Sequence, residues 1–263
     1  MYEQVLERLH LEHDLRHALS HGELQLFYQP FFNLADQQLV GMESLVRWQH
    51  PERGLILPGA FISIAEDTGL IVDLDKWVLE QACRQFWLWQ QQFQGAANLI
   101  LSVNVSAKTL KHPSFLHHLS RIQQQYPLGR GQLVLELTES IALELGSEML
   151  SLLESLRERH IEISIDDFGT GYSCLSYLHS LPIHHLKVDR AFVQQLEDNQ
   201  RNLKITKMIL VLAQELGYRV IAEGIETHEQ LHILQRLGCD YGQGYLFARP
   251  MPAEALASLL KAH

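Results

Sequence analysis

Short strand-like runs alternate with longer amphipathic segments along nearly the whole chain, and that alternation leaves few folds open. The runs are Leu24–Gln29, Met42–Trp48, Leu99–Val105, Leu133–Leu137, Ile161–Asp166, His185–Asp189, Arg219–Glu223 and Gly244–Phe247. Between most of them lie segments with helical periodicity: Leu74–Phe93, Glu148–Arg159, Leu203–Leu216 and His228–Leu237. Alternation of this kind implies right-handed crossovers and a parallel sheet. About eight such units in about 250 residues is the size of a (β/α)8 barrel. No Pro/Gly/Ser-rich linker divides the 263 residues, so the expected fold class is α/β, a TIM-like barrel.

Within the strands one phase is apolar and the other polar. Leu99, Leu101, Val103 and Val105 oppose Ser102 and Asn104; Leu133, Leu135 and Leu137 oppose Glu136; Ile161, Ile163 and Ile165 oppose Ser164 and Asp166. The pattern repeats with Lys187 and Asp189 against Leu186 and Val188, and with Glu223 against Val220 and Ala222. A parallel sheet buried on both faces reads as nearly continuous hydrophobics, and polar groups on one face are costly unless they serve a purpose. In a barrel the apolar phase packs on the outer helices and the polar phase points inward. The polar residues also fall late in their strands, at the carboxyl mouth where barrel active sites lie. Capping of the following helices would suit one or two of them, but not Glu43, Asn104, Glu136, Asp166, Lys187 and Glu223 together.

Converging carboxylates repel one another, and burial raises their pKa values unless cations neutralise them. Carboxylates with an amide oxygen form an all-oxygen set that suits Mg²⁺ or Mn²⁺ better than zinc. Two such ions about 3.5–4 Å apart can clamp the attacking and leaving oxygens of an in-line phosphoryl displacement. The adjacent pair Asp166-Asp167 poses a question, because successive strand side chains face opposite ways. Either one aspartate caps and the other is solvated, or the strand releases its pleat at Asp167 so that both carboxylates reach one point. An aspartate bridging two ions beside a neighbour that completes the set calls for the second arrangement.

Several function classes fall away. A formal net charge of −10 will not attract polymeric DNA or RNA by counterion release. No apolar run reaches the roughly 18 residues of a membrane span, and the charged stretch MYEQVLERLHLEHDLRHAL contains no signal-peptide apolar region. Cys83, Cys174 and Cys239 lack a C-x-x-C pair, which argues for free thiols in a reducing cytoplasm. The Asp167–Gly169 DFG stands without the glycine-rich and H-R-D loops of a protein kinase. GTGYS lacks the glycine-lysine spacing of a P-loop. The histidines offer no H-E-x-x-H, and the adjacent pairs His117-His118 and His184-His185 read as surface or packing residues.

From about Leu24 to Pro250 the chain resembles the EAL domain family of cyclic di-GMP-specific phosphodiesterases. The resemblance rests on YQP (Tyr28–Pro30), ESLVRWQHP (Glu43–Pro51), NVS (Asn104–Ser106), ELTES (Glu136–Ser140), DDFGTGYS (Asp166–Ser173), LKVDR (Leu186–Arg190), AEGIE (Ala222–Glu226) and QGYLF (Gln243–Phe247). It implies hydrolysis of cyclic di-GMP to linear 5′-pGpG by two-metal activation of water, with Mg²⁺ or Mn²⁺ active and Ca²⁺ inhibitory. It also implies a barrel whose first strand is antiparallel, and a homodimer. Its implied metal ligands are Glu43, Asn104, Glu136, Asp166, Asp167 and Glu223. Lys187 would hold or activate the water, Glu223 is a ligand first and a base second, and Glu43 shares the catalytic set. Gln29, Arg47, Asp189, Glu226 and Gln243 would contact substrate, and Glu139 would anchor the DFGTGYS loop. Residues 1–22 form an expected N-terminal helix that suits the remnant of a linker from an upstream GGDEF or sensory domain, with the barrel in 23–263. The chain departs from the family pattern at Ser44, where alanine is usual, and at Cys174, where serine is common. The rival functions are a catalytically inactive cyclic di-GMP receptor and a barrel hydrolase for other phosphodiesters.

Overall fold

The computed structural model describes residues 2–143, 147–169 and 178–262. Its strands are β1 (Leu24–Asn33), β2 (Leu39–His50), β3 (Gly54–Ile56), β4 (Ile100–Asn104), β5 (Leu133–Thr138), β6 (Glu162–Phe168), β7 (His185–Val188), β8 (Arg219–Ala222), β9 (Tyr241–Gly242) and β10 (Met251–Pro252). The ring runs β1-β2-β4-β5-β6-β7-β8-β9 and returns to β1. From β2 round to β9 every pairing is parallel, whereas β1 is antiparallel to both its neighbours. The expected barrel with an antiparallel first strand is therefore the fold. β3 folds back on β2, and β10 pairs with Phe27 and Tyr28 of β1.

Several of the helices pack on the ring through an apolar stripe. In the helix Ile71–Gln92 the buried residues Leu74, Val78, Leu79, Ala82, Phe86 and Trp89 recur at the spacing of one helical face. The helix His228–Arg236 begins with a reciprocal Thr227–Gln230 capping box, which satisfies two of its free amide donors. Gly217, at φ 76°, ends the helix Gln200–Leu216 in the left-handed conformation that glycine adopts without steric cost. The N-terminal helix Tyr2–His21 buries Leu11, Leu15 and Ala18 in the same core. Among the described residues no helix is long and apolar enough to cross a membrane.

The lumen is layered. Phe31, Ile221 and Tyr241, with Val40 and Ile100, form an apolar plug. Gly41 makes room for it: a Cβ there would lie 2.5 Å from the Phe31 ring and 2.4 Å from the Ile100 carbonyl oxygen. Later in the strands the inward residues turn polar, and Ser102, Glu136, Ser164 and Lys187 are all buried. The apolar phase, including Leu101, Val103, Leu135, Ile163 and Leu186, packs outward into the main core.

One expected strand is wrong. Gly244–Phe247 is a turn, and the last barrel strand is the two-residue β9 before it. Gly244 sits against the backbone of Ile225, where a Cβ would meet the carbonyl oxygen at 2.1 Å. Leu246 N–H donates to Ile225 O, while Phe247 and Ala248 N–H both donate to Gly244 O. This close approach curls the chain where the aromatic and aliphatic residues alone suggest extension.

Candidate functional site at the barrel mouth

Lys187, from β7, is 1% exposed and stands at the centre of the mouth. Its Nζ lies 2.7 Å from Glu223 Oε1, 2.9 Å from Glu136 Oε2, 3.2 Å from Asp166 Oδ1 and 3.4 Å from Glu43 Oε2. These side chains come from β2, β5, β6 and the residue following β8, so the strand phase alone delivers them to one place. Asn104 Nδ2 donates to Glu43 Oε1 at 2.8 Å, and Gln243 Nε2 donates to Glu43 Oε2 at 2.7 Å. Gln243 Nε2 also reaches Gln29 Oε1 at 3.3 Å, and Gln29 Nε2 donates to Ala248 O at 3.1 Å. Glu43 is thus fixed at both oxygens. Its neighbour Ser44 turns the other way, and its hydroxyl donates to Ser102 O at 3.1 Å.

The paired aspartates are brought together by a break in the pleat. The β6–β7 register shifts between Ile165 and Phe168, and Asp167 adopts φ 54°, a left-handed conformation that aspartate and asparagine enter more readily than most residues. Asp166, Asp167 and Glu223 consequently offer carboxylate oxygens all within 4.8 Å of one another. Asp167 N–H donates to Asp166 Oδ1 at 3.0 Å, tightening the kink. Just beyond it Gly169 N–H donates to Glu139 Oε2 at 2.9 Å, so Glu139, the first residue of the helix Glu139–Leu143, reaches the start of the loop. Residues 170–177 of that loop, Cys174 included, lie outside the described residues.

The electrostatics follow from crowding. Burial, opposed by Lys187 but reinforced by Glu43 and Asp166, holds Glu136 well above the ordinary carboxylate range. Burial with the charges of Asp166 and Glu43 pushes Glu223 up to about 8. Desolvation and the nearby Asp166 and Asp189 push Asp167 up to about 6. Burial would raise Glu43 as well, but Lys187 and the donors Gln243 and Asn104 outweigh it and hold Glu43 below its usual value. Against its own burial, Lys187 is kept well above a normal lysine by the carboxylates around it. Glu136 Oε1 is buried without a hydrogen-bond partner.

A cavity of about 580 Å³ opens over this cluster, lined by Gln29, Glu43, Asp166, Asp167, Asp189, Glu223, Glu226 and Gln243 together with Arg190, Gln194 and Tyr245. A second, more apolar cavity of about 390 Å³ includes Asn104 and Glu136 in its walls and shares Leu45 and Pro58 with the first. Asp189 caps the next helix by accepting from Ala191 N–H at 2.8 Å, and Glu226 accepts from Gln194 Nε2 at 3.3 Å. Arg47 is not in the first cavity's lining: its guanidinium lies 5.5 Å from the centroid of the Phe27 ring and donates to Val46 O. Sequence reasoning missed Arg190, Gln194 and Tyr245 as lining residues. Tyr245, half exposed with Arg249 stacked 4.1 Å over its ring, lies within the QGYLF motif, which was the available signal; Gln194 carried none.

Comparison with known proteins shows the family to which the chain belongs. The EAL domain family model matches residues 12–250. Over 250 residues the chain is 44% identical to the bifunctional diguanylate cyclase/cyclic di-GMP phosphodiesterase MucR of Pseudomonas aeruginosa, covering 95% of this chain and 36% of that protein. It is 42% identical over 260 residues to the cyclic di-GMP phosphodiesterase NbdA of the same organism, covering 99% of this chain and 33% of the relative. The chain thus spans about a third of the length of these curated relatives. Among solved structures, the PaMucR phosphodiesterase in complex with c-di-GMP is 43% identical and superposes with a TM-score of 0.89, covering 94% of this chain and 99% of that one. The EAL enzyme Bd1971 in its cAMP-bound form reaches a TM-score of 0.93 at 34% identity, covering 98% of this chain and 71% of the other. Similar in sequence and in fold over nearly its whole length, the chain belongs to the EAL domain family.

Proposed function

We propose that the chain hydrolyses cyclic di-GMP to linear 5′-pGpG at the barrel mouth. The observation that carries this reading is an imbalance of charge: four carboxylates converge on Lys187, and the oxygens of Asp166, Asp167 and Glu223 gather beside them. An all-oxygen set of this kind fits hard divalent cations, and the unpartnered Glu136 Oε1 is free to join it. In this reading Glu43, Asn104, Glu136, Asp166, Asp167 and Glu223 hold the ions. Bound Mg²⁺ or Mn²⁺ would acidify water and neutralise charge developing on the phosphoryl group.

The chain's own groups position the reaction. Lys187 directs its ammonium donors at the attacking water or a phosphoryl oxygen. Gln243 and Gln29 hold Glu43 and line the way in, and Arg47 would have to turn from Phe27 and the Val46 carbonyl to meet a phosphate. Asp189, Glu226 and Gln194 present polar atoms for the rest of the nucleotide. Water adds to phosphorus, the bond from phosphorus to the 3′ oxygen breaks, and that oxygen leaves protonated. The names of MucR, NbdA and the PaMucR complex support cyclic di-GMP as substrate. An upstream GGDEF or sensory domain and a homodimer are proposed with it. The relatives' greater length supports the first, and the exposed Met208 and Val211 on the helix Gln200–Leu216 support the second.

The experiment compares cyclic di-GMP with a simple aryl phosphodiester in Mn²⁺ and follows the products. Cleavage confined to the dinucleotide is expected. Binding without cleavage would make the chain a receptor, and equal cleavage of both substrates would make it a general phosphodiesterase.

A further inference from the structure

Far from the acidic mouth, His17 and His21 stand one helical turn apart near the carboxyl end of the N-terminal helix. Their ring centroids are 3.4 Å apart and their planes differ by 9°. We propose that this pair is a site for a borderline transition-metal cation (Zn²⁺, Ni²⁺ or Cu²⁺), separate in position and chemistry from the oxygen-rich mouth.

In the neutral imidazole the hydrogen bonds fix which ring nitrogen carries the proton. His21 Nδ1 lies 2.9 Å from the backbone carbonyl oxygen of His17. A carbonyl can only accept, so Nδ1 bears the hydrogen and the lone pair is on Nε2. The Ser20 hydroxyl donates to that same carbonyl at 3.0 Å, which leaves its oxygen free as a second acceptor 2.9 Å from His21 Nδ1. His17 Nδ1 faces Glu23 Oε1 at 3.3 Å, and a carboxylate likewise only accepts. Glu23 is itself held by the Trp48 indole N–H, which donates to Oε2 at 2.9 Å.

Both imidazoles therefore carry Nδ1–H directed at an oxygen and a lone pair on Nε2. That is the arrangement in which metal-ligating histidines are found, the outer hydrogen bond fixing the tautomer and raising ligand basicity. Residues four apart on a helix share a face, and the His17 side chain is 55% exposed. For the two lone pairs to converge on one ion the rings must leave their stack, and both residues are exposed at the surface. Imidazole pairs suit Zn²⁺, Cu²⁺ and Ni²⁺, whereas Mg²⁺ and Ca²⁺ prefer oxygen.

The test adds Cu²⁺ to the full chain saturated with Mg²⁺ and reads electron paramagnetic resonance. None of the residues assigned to the mouth is a histidine, so nitrogen coupling from imidazole reports binding elsewhere. The wild type is expected to show coupling to two imidazoles at the first equivalent of Cu²⁺. His17→Ala and His21→Ala should each weaken that binding by more than the roughly 10–100-fold typical of losing an outer partner, and the double variant should abolish it. His10→Ala should leave it unchanged. Both sites are exposed, so the melting temperature in Mg²⁺ should hold and show that the variants fold. Undiminished two-imidazole coupling in the double variant, or its absence from the wild type, overturns the proposal.

Discussion

At Lys187 an ammonium with almost no access to water faces Glu43, Glu136, Asp166 and Glu223, all within 3.4 Å. An ammonium cannot coordinate a cation, so its part in the proposed reaction is to hold the water or a phosphoryl oxygen. Lys187→Ala is expected to lower turnover by ~10²–10³-fold, the usual cost of one lost donor at a reacting oxygen, while metal content measured by atomic emission stays near that of wild type. Loss of both metals would contradict the role. In a chelator the same variant leaves four carboxylates facing one another. Its melting temperature should then fall below wild type and recover when Mg²⁺ is added. At this scale much of the site was legible in the sequence, because period-two alternation marks Asn104, Glu136, Asp166 and Lys187 as inward whatever their partners. The partners were not legible. That Asn104 and Gln243 grip the two oxygens of Glu43 depends on how far strands distant in sequence slide past one another.

The element that decides the acidic cluster is β6, whose pleat breaks at Asp167. Left-handed backbone costs most L-residues about 1–2 kcal/mol but suits asparagine. Asp167→Asn should therefore keep or raise the melting temperature in chelator, since it also removes repulsion from Asp166 and Asp189, and yet abolish turnover. Asp167→Ala should lose both stability and turnover. Equal destabilisation by the two substitutions would show that the kink is not what places this side chain. Glu139 acts one step further along the same element through the Gly169 amide. Glu139→Ala is expected to depress turnover, and Glu139→Gln, whose amide oxygen can still accept that hydrogen bond, to retain most of it. Near-normal hydrolysis in Glu139→Ala with a lowered melting point would leave only a helix-end role, worth about 1 kcal/mol. The bulge was anticipated because two adjacent aspartates make little sense on an unbroken strand. The strand β9 was not: two residues are too few for any periodicity to show, and the following Gly244–Phe247 imitates a strand by composition.

For the molecule as a whole, excess negative charge is concentrated where strands from around the ring converge, on a chain already at −10. Exhaustive chelation should abolish hydrolysis, Mg²⁺ or Mn²⁺ should restore it, and Ca²⁺ should bind without restoring it because its longer, looser bonds clamp the reacting oxygens poorly. Added Mg²⁺ should also raise the melting temperature, since a ligand of the native state stabilises it in proportion to the logarithm of its concentration. Full activity in chelator would overturn the metal mechanism. The parallel part of the barrel was legible from strand–helix alternation. The antiparallel first strand was not legible from that pattern, since its hairpin to β2 looks in sequence like any short connection.

That reversed strand also bears on the order in which the barrel assembles. β1 and β2 are neighbours in sequence and register along nearly their full length, so they can zip as a hairpin within microseconds. The opposite seam joins β1 to β9 through only two registered pairs, Phe32 with Gly242 and Asn33 with Tyr241, across some two hundred residues of intervening chain. Contacts so distant bear the full loop-closure entropy and here have little ladder to offset it. The ring should therefore close last and open first along this seam. Native-state hydrogen exchange should find the amides of β9 protected by less free energy than those of β5, and equal protection would show that the cylinder opens only when the whole molecule unfolds.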